Sequence, residues 1–181
     1  VGESISGALF GGSVEAFIWS ADSGFQGLAA LAGTLDSTGT ATAVAADGRR
    51  VTGRSRYPEG DFGPVLWTDG VPVALGFIPG AAAGGATHIS DRGDIVMGSM
   101  SGAGILDSTF LWTEATGSIL AREFLEMNGV FLPEGRFILS AMAPDGRAFA
   151  GESVSGPFIA VIPSPFTSAC FLVLLAARRR R

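Results

Sequence analysis

A cassette built on two glycines five positions apart occurs three times in this chain, and such a repeat constrains the architecture more than any single residue does. The copies are residues 44–55, 89–99 and 142–153. Each has a turn glycine (Gly48, Gly93, Gly146) followed by a second glycine (Gly53, Gly98, Gly151). An apolar residue stands two places before each second glycine: Val51, Val96 and Phe149. The sequence opens inside the same unit, because residues 2–7 (GESISG) and 151–156 (GESVSG) differ at one position only. A second element follows each cassette: Ala16-Phe17-Ile18-Trp19, Pro64-Val65-Leu66-Trp67, Thr109-Phe110-Leu111-Trp112 and Pro157-Phe158-Ile159-Ala160. A third element is a glycine turn leading to a leucine, at Gly24 to Leu28, Gly70 to Leu75 and Gly117 to Leu120.

Asp-Gly or Arg-Gly between short apolar stretches supplies the positive backbone angles of a tight hairpin turn, so each cassette is expected to be two antiparallel strands. The tryptophan segment is a short apolar run between polar turns, as expected of a strand buried on both faces. The glycine-to-leucine segment then forms an outer strand. Four short strands in about 45 residues is the size of one β-propeller blade. The expected fold is all-β: a propeller-like array of about three to four four-stranded repeats over residues 1–162, a partial propeller. A β-sandwich whose hairpins resemble one another by chance is the alternative. Under the repeat reading, Trp19, Trp67 and Trp112 are structurally equivalent.

The turn cassette, with Asp-Gly followed by apolar-x-Gly-x-Ser, and the Ala-Phe-x-Trp element resemble bacterial extracellular proteins of the HAF-repeat family. The likeness covers roughly residues 1–162. It implies an exported, propeller-like β-repeat protein, with no catalytic residues to carry over. The last copy departs from the pattern, since Ala160 replaces the tryptophan and no outer strand follows it. Terminal repeats of an array are commonly atypical.

The rhythm breaks over residues 119–129, where Leu120, Phe124 and Met127 recur at helical spacing and Asn128-Gly129 suits a C-cap. One short inserted helix is expected there, packed on a face or edge of the array.

Composition narrows the function classes. His88 and Cys170 are the chain's single histidine and cysteine, so neither a disulfide framework nor a Cys/His metal site can be assembled from them. All 12 basic residues are arginine, and four of them end the chain. The preceding 177 residues therefore hold eight arginines against 17 acids, a balance of minus nine that repels a phosphate backbone and disfavours nucleic-acid binding.

The end of the chain is a second distinct region, residues 163–181. Pro163-Ser164-Pro165 precedes an apolar run over 166–177 and the cluster Arg178, Arg179, Arg180 and Arg181. An apolar segment followed by terminal positive charge is the order of a membrane-held sorting tail. It resembles the PEP-CTERM signal, a Pro-Glu-Pro motif ahead of an apolar helix and a basic end. That resemblance implies an exosortase-like processing enzyme as partner and a transient membrane anchor. Ser164 stands where the family has glutamate, and twelve apolar-biased residues are fewer than the ~20 of a bilayer span. A degenerate tail or a simple hydrophobic end is the other reading. The opening valine, without a basic leader, is expected to mark a fragment with a secretory signal and further blades upstream.

Several motifs are weighed and set aside. Arg92-Gly93-Asp94 spells an adhesion tripeptide, but Gly93 is the repeat's turn glycine. The serine segments lack the Gly-x-Ser-x-Gly spacing of a nucleophile elbow. His88 lies near Asp91 and Asp94 as a conceivable acid/base pair, yet a single histidine entering a strand is usually structural. Asp61, Asp69, Asp91, Asp94 and Asp107 could offer oxygen to calcium, without the spacing of a known calcium loop. No cofactor is expected.

Two function classes follow. The first is a non-enzymatic exported protein of the cell surface or extracellular matrix, a scaffold for polysaccharide or another surface protein. The second is part of a propeller-type polysaccharide hydrolase or lyase, for which the non-repeated acids Glu59, Asp61 and Asp107 are the candidates.

Overall fold

The structure is a computed structural model that describes residues 14–34, 38–103, 105 and 108–163, and the backbone of residues 2–5. It is all-β with one short helix. Four antiparallel sheets follow one another along the chain, each a simple meander. The first comprises β1 (Gly2–Ile5), β2 (Val14–Ser20) and β3 (Gly24–Gly27). The second comprises β4 (Gly39–Val44), β5 (Arg50–Arg56), β6 (Phe62–Thr68) and β7 (Val71–Ala74). The third comprises β8 (Ala83–Ile89), β9 (Val96–Ser101), β10 (Thr109–Thr113) and β11 (Gly117–Leu120). The fourth comprises β12 (Phe137–Met142), β13 (Ala148–Ser153) and β14 (Gly156–Val161). The register makes the sheets superimposable: Gly2, Gly53, Gly98 and Gly151 pair with Phe17, Val65, Phe110 and Phe158. Among the described residues, the first sheet thus lacks a counterpart of β4 and β8, and the fourth lacks a counterpart of β7 and β11.

The two glycine families have different physical reasons. Gly48, Gly93 and Gly146 hold φ near +70° at the hairpin tips, the left-handed conformation that a side chain disfavours. Gly53, Gly98 and Gly151 have no such φ. A Cβ on them would collide with the backbone of the first strand of their own sheet, at Thr40, Gly85 and Ile138. The approach is that close because each first strand carries a β-bulge at the same place, with Thr42, Thr87 or Ser140 as the extra residue.

Consecutive sheets stack face to face, and alternate residues of a strand serve opposite neighbours, as period-two geometry dictates. On β6, Val65 and Trp67 join Ala16 and Leu28 of the first sheet, while Leu66 joins Val96 and Phe110 of the third. On β10, Phe110 faces back to the second sheet and Leu111 forward to Phe149 and Ala160 of the fourth. Full burial of each such aliphatic or phenylalanine side chain contributes about 1.5–3 kcal/mol. Backbone bonds repeat with the same step. The amide of Ala46 donates to the Asp91 carbonyl at 2.9 Å, and the amide of Asp91 donates to the carbonyl of Pro144 at 2.6 Å.

The inserted helix is α1 (Ala121–Met127), capped by Asn128 and by Gly129 at φ 78°. It buries Ala121, Phe124 and Leu125 between the third and fourth sheets. Met127, placed on the apolar stripe by its spacing, is instead 69% exposed, and Leu125 takes the inward position. With seven residues, the helix turns only one narrow face to the core.

Candidate functional site

A cleft of about 730 Å³ opens between the second and third sheets, beside the first strands β4 and β8. Part of its wall is hydroxylic for structural reasons, beside apolar stretches at Ala83, Ala86 and Met100. Thr40 and Thr42 come from β4, Thr87 from β8, and Ser99 and Ser101 from β9. Thr42 and Thr87 are the bulge residues, and the bulge turns each hydroxyl onto its own sheet. The single Thr42 hydroxyl proton is shared between the carbonyls of Thr52 at 3.0 Å and Ala86 at 2.7 Å, the latter in the neighbouring sheet. Thr87 Oγ1 reaches Met97 O at 3.3 Å and Ser140 Oγ reaches Ala150 O at 3.4 Å, the equivalent places in their repeats. These hydroxyls pin the bulge, and Thr42 and Thr87 also line the cleft.

The mouth carries the non-repeated chemistry: Arg54, Asp61 and Phe62. The guanidinium carbons of Arg54 and Arg56 lie 5.3 and 5.1 Å from the centroid of Phe62, so two cations share one ring. Gly85 makes room for this, since a Cβ there would press on the Arg54 stem at 3.1 Å. Arg56 is tied down by a bond to Gly60 O at 2.8 Å. Arg54 makes no ion pair among the described residues, and its fork of donors is presented to the cleft. Asp61 accepts from the Tyr57 amide through its carbonyl at 2.8 Å, and its carboxylate lines the cleft. Tyr57, buried against Phe77, bonds Pro64 O at 2.7 Å; burial pushes its phenol above the usual range and fixes the loop beneath.

The residues singled out from the sequence distribute as follows. Trp19, Trp67 and Trp112 take the same register position, opposite Phe25, Pro72 and Ser118, but differ in exposure. Trp67 is 1% exposed and donates its indole N–H to Ala29 O at 2.8 Å. Trp112 packs against the cluster shared by the second and third sheets, and Trp19 is 55% exposed. None of the three lines the cleft.

His88 pairs through Nδ1 with Thr87 Oγ1 at 2.9 Å, and burial lowers its pKa. The Ser90 hydroxyl is committed to Asp94 at 2.6 Å and to the amides of Asp94 and Ile95, so this loop offers His88 no nucleophile. In the adhesion-like tripeptide, Arg92 lies 3.5 Å from Asp94, and Arg50 donates to Gly93 O at 3.0 Å. Asp69 is gripped by both forks of Arg49 at 2.8 and 2.7 Å, which holds its carboxyl below the usual range. Glu59 is exposed in the turn before β6. Among the described residues no three His, Cys, Asp or Glu side chains converge as a metal site. Pro163 is held by Arg147, which donates to its carbonyl at 3.0 Å. Asp107, Cys170, Pro165 and Arg178 to Arg181 lie outside the described residues, as does the expected apolar C-terminal helix. Within the described residues no helix is long and apolar enough to cross a membrane.

Arg54, Phe62 and the bulge hydroxyls were not singled out by motif. Arg54 stands at the variable position of the cassette, where the other copies have Ser99 and Glu152, so the repeat itself gave no signal for it. Comparison with protein-family models finds no match to this chain, and comparison with curated proteins finds none either.

Proposed function

We propose that this chain is a non-enzymatic, exported repeat protein of the bacterial surface or extracellular matrix, whose cleft between the second and third sheets binds polysaccharide. In this reading the four sheets are blades of a partial propeller. The tail from Pro163 is an exosortase-type sorting signal that holds the chain transiently at the membrane. The observation that carries the binding role is the cleft, which brings Arg54, Asp61 and Phe62 together with the hydroxyl residues Thr40, Thr42, Thr87, Ser99 and Ser101. The Phe62 ring holds the two guanidiniums in place, and arginine and carboxylate suit a sugar's hydroxyls. An arginine fork that makes no ion pair among the described residues adds bidentate affinity for a sugar carboxylate, which favours uronate-bearing chains.

Calorimetric titration with uronate oligosaccharides and their neutral counterparts tests this. Binding of the acidic series that weakens at least tenfold in Arg54→Ala supports the reading; equal binding by Arg54→Ala removes the cleft from it. Fractionation of cells with and without residues 163–181 tests export, and cytoplasmic retention of both forms overturns that part. The second reading, a polysaccharide hydrolase or lyase, is favoured by Asp61 in the cleft. Glycan turnover lost in Asp61→Asn would establish it.

A further inference from the structure

A hollow of about 260 Å³ lies at the hairpin tips of the second and third sheets, at the start of β5, whereas the cleft takes Arg54 from further along that strand. Arg49, Arg50 and Arg92 line the hollow with Thr68 of β6, and Asp47 is the one acid in the lining among the described residues. Three guanidiniums to one carboxylate is a local excess of positive charge on a body that is otherwise acidic.

The two tips are tied across the joint. The Ala46 amide bonds the Asp91 carbonyl at 2.9 Å, and Arg50 reaches over to donate through Nη1 to Gly93 O at 3.0 Å. Gly93 permits the crossing, since a Cβ there would lie 2.5 Å from the Arg50 stem. The nearby acids are already engaged. Asp69 takes Nε and Nη2 of Arg49, and Asp47 accepts from the Arg49 amide at 2.9 Å. Asp94 accepts from the Ser90 hydroxyl and meets Arg92 at 3.5 Å between exposed side chains, a contact of little strength. Arg50 makes no ion pair among the described residues.

The repeat shows that packing does not call for these charges. Counted from the turn glycines, the equivalents of Arg49, Arg50 and Arg92 at the joint between the third and fourth sheets are Asp94, Ile95 and Asp145. Ile95 meets Gly146 there as Arg50 meets Gly93: a Cβ on Gly146 would lie 2.8 Å from the isoleucine side chain. An aliphatic side chain is enough for that contact, so the guanidinium of Arg50 is surplus to it.

We propose that this hollow binds a tetrahedral oxyanion, a phosphate or sulfate that is either free or the ester group of a larger ligand. Guanidiniums from two tips approach such a group from several directions, whereas a planar carboxylate is met by one fork in its own plane. The site is separate from the polysaccharide cleft and does not depend on it.

Inorganic phosphate, then sulfate, titrated at constant ionic strength into the isotope-labelled whole chain tests this through the arginine Nε–Hε resonances. Saturable shifts are expected at Arg49, Arg50 and Arg92, and none at Arg122 or Arg147. Arg50→Ile introduces the residue that the next joint uses, so its circular dichroism should match wild type while affinity falls about tenfold or more. Arg92→Asp, in an exposed turn, should give a similar loss without touching β5. Methyl phosphate separates the sources: shifts like those of the free ion assign the hollow to an ester group, and their absence assigns it to the ion itself. Shifts that do not saturate, or that all arginines share, overturn the proposal, as does undiminished binding by both variants.

Discussion

Trp67 in the second sheet and Ala160 in the fourth occupy the same register position, and the chain fills the space around them in opposite ways. Trp67 stands opposite Val51, whereas Ala160 stands opposite Phe149; both large members are 1% exposed. The bulk has moved across the strand pair from one partner to the other. What the repeat keeps is one large side chain filling the volume of each cross-strand pair, on either strand, and not the tryptophan.

The largest effect should come from deleting bulk at the interior site. Trp67→Ala is expected to cost about 3–5 kcal/mol, read from urea unfolding, because it opens a cavity and orphans Ala29 O. Trp19→Ala, at the equivalent but exposed place, should stay within about 0.5 kcal/mol. Equal losses would break the interior-versus-end distinction. The volume rule is sharpened by exchanging bulk in the fourth sheet. Ala160→Trp alone should overpack by about 1–3 kcal/mol and Phe149→Val alone should leave a void. The double variant should recover part of both losses, with a coupling of about 1–3 kcal/mol in a double-mutant cycle. Simple additivity would refute the exchange.

Smaller effects separate the bulges. Thr42→Val removes the hydroxyl proton shared by the carbonyls of Thr52 and Ala86, the latter in the neighbouring sheet, and should cost about 0.5–1.5 kcal/mol. Ser140→Ala loses one long bond and should cost less. The smallest effect is pH-dependent. After the bulge, the second and fourth sheets place Ala43 and Ala141 where the third has His88. Burial lowers the folded pKa of His88, so the unfolded chain takes up its proton first. Stability is complete above about pH 6.5 and declines as pH falls toward the folded pKa. Unfolding midpoints above and below that pH should show this slope in wild type and a shallower one in His88→Ala.

Much of this was legible because it is local. Asp47-Gly48 and Asp145-Gly146 encode their hairpins in adjacent residues, and each aspartate bonds the amide of the arginine two places on, Arg49 at 2.9 Å and Arg147 at 3.0 Å. The helix was readable from spacing, except that a seven-residue segment could not hold Met127 in its core. What escaped the sequence depends on cross-strand partners. The loss of tryptophan at Ala160 reads as decay until Phe149 is found opposite. The need for glycine at Gly53, Gly98 and Gly151 arises from a bulge on another strand. In the cleft, Asp61 stood out as a non-repeated acid, but its neighbours Arg54 and Phe62 belong to the end of one strand and the start of the next.

The carbonyl of Pro144 accepts the last bond in the line that runs from Ala46 through Asp91. A proline has no amide proton to hand onward. The line of amide-to-carbonyl bonds that links the hairpin tips of successive sheets therefore stops at Pro144, and the fourth sheet contributes an acceptor to it without a donor.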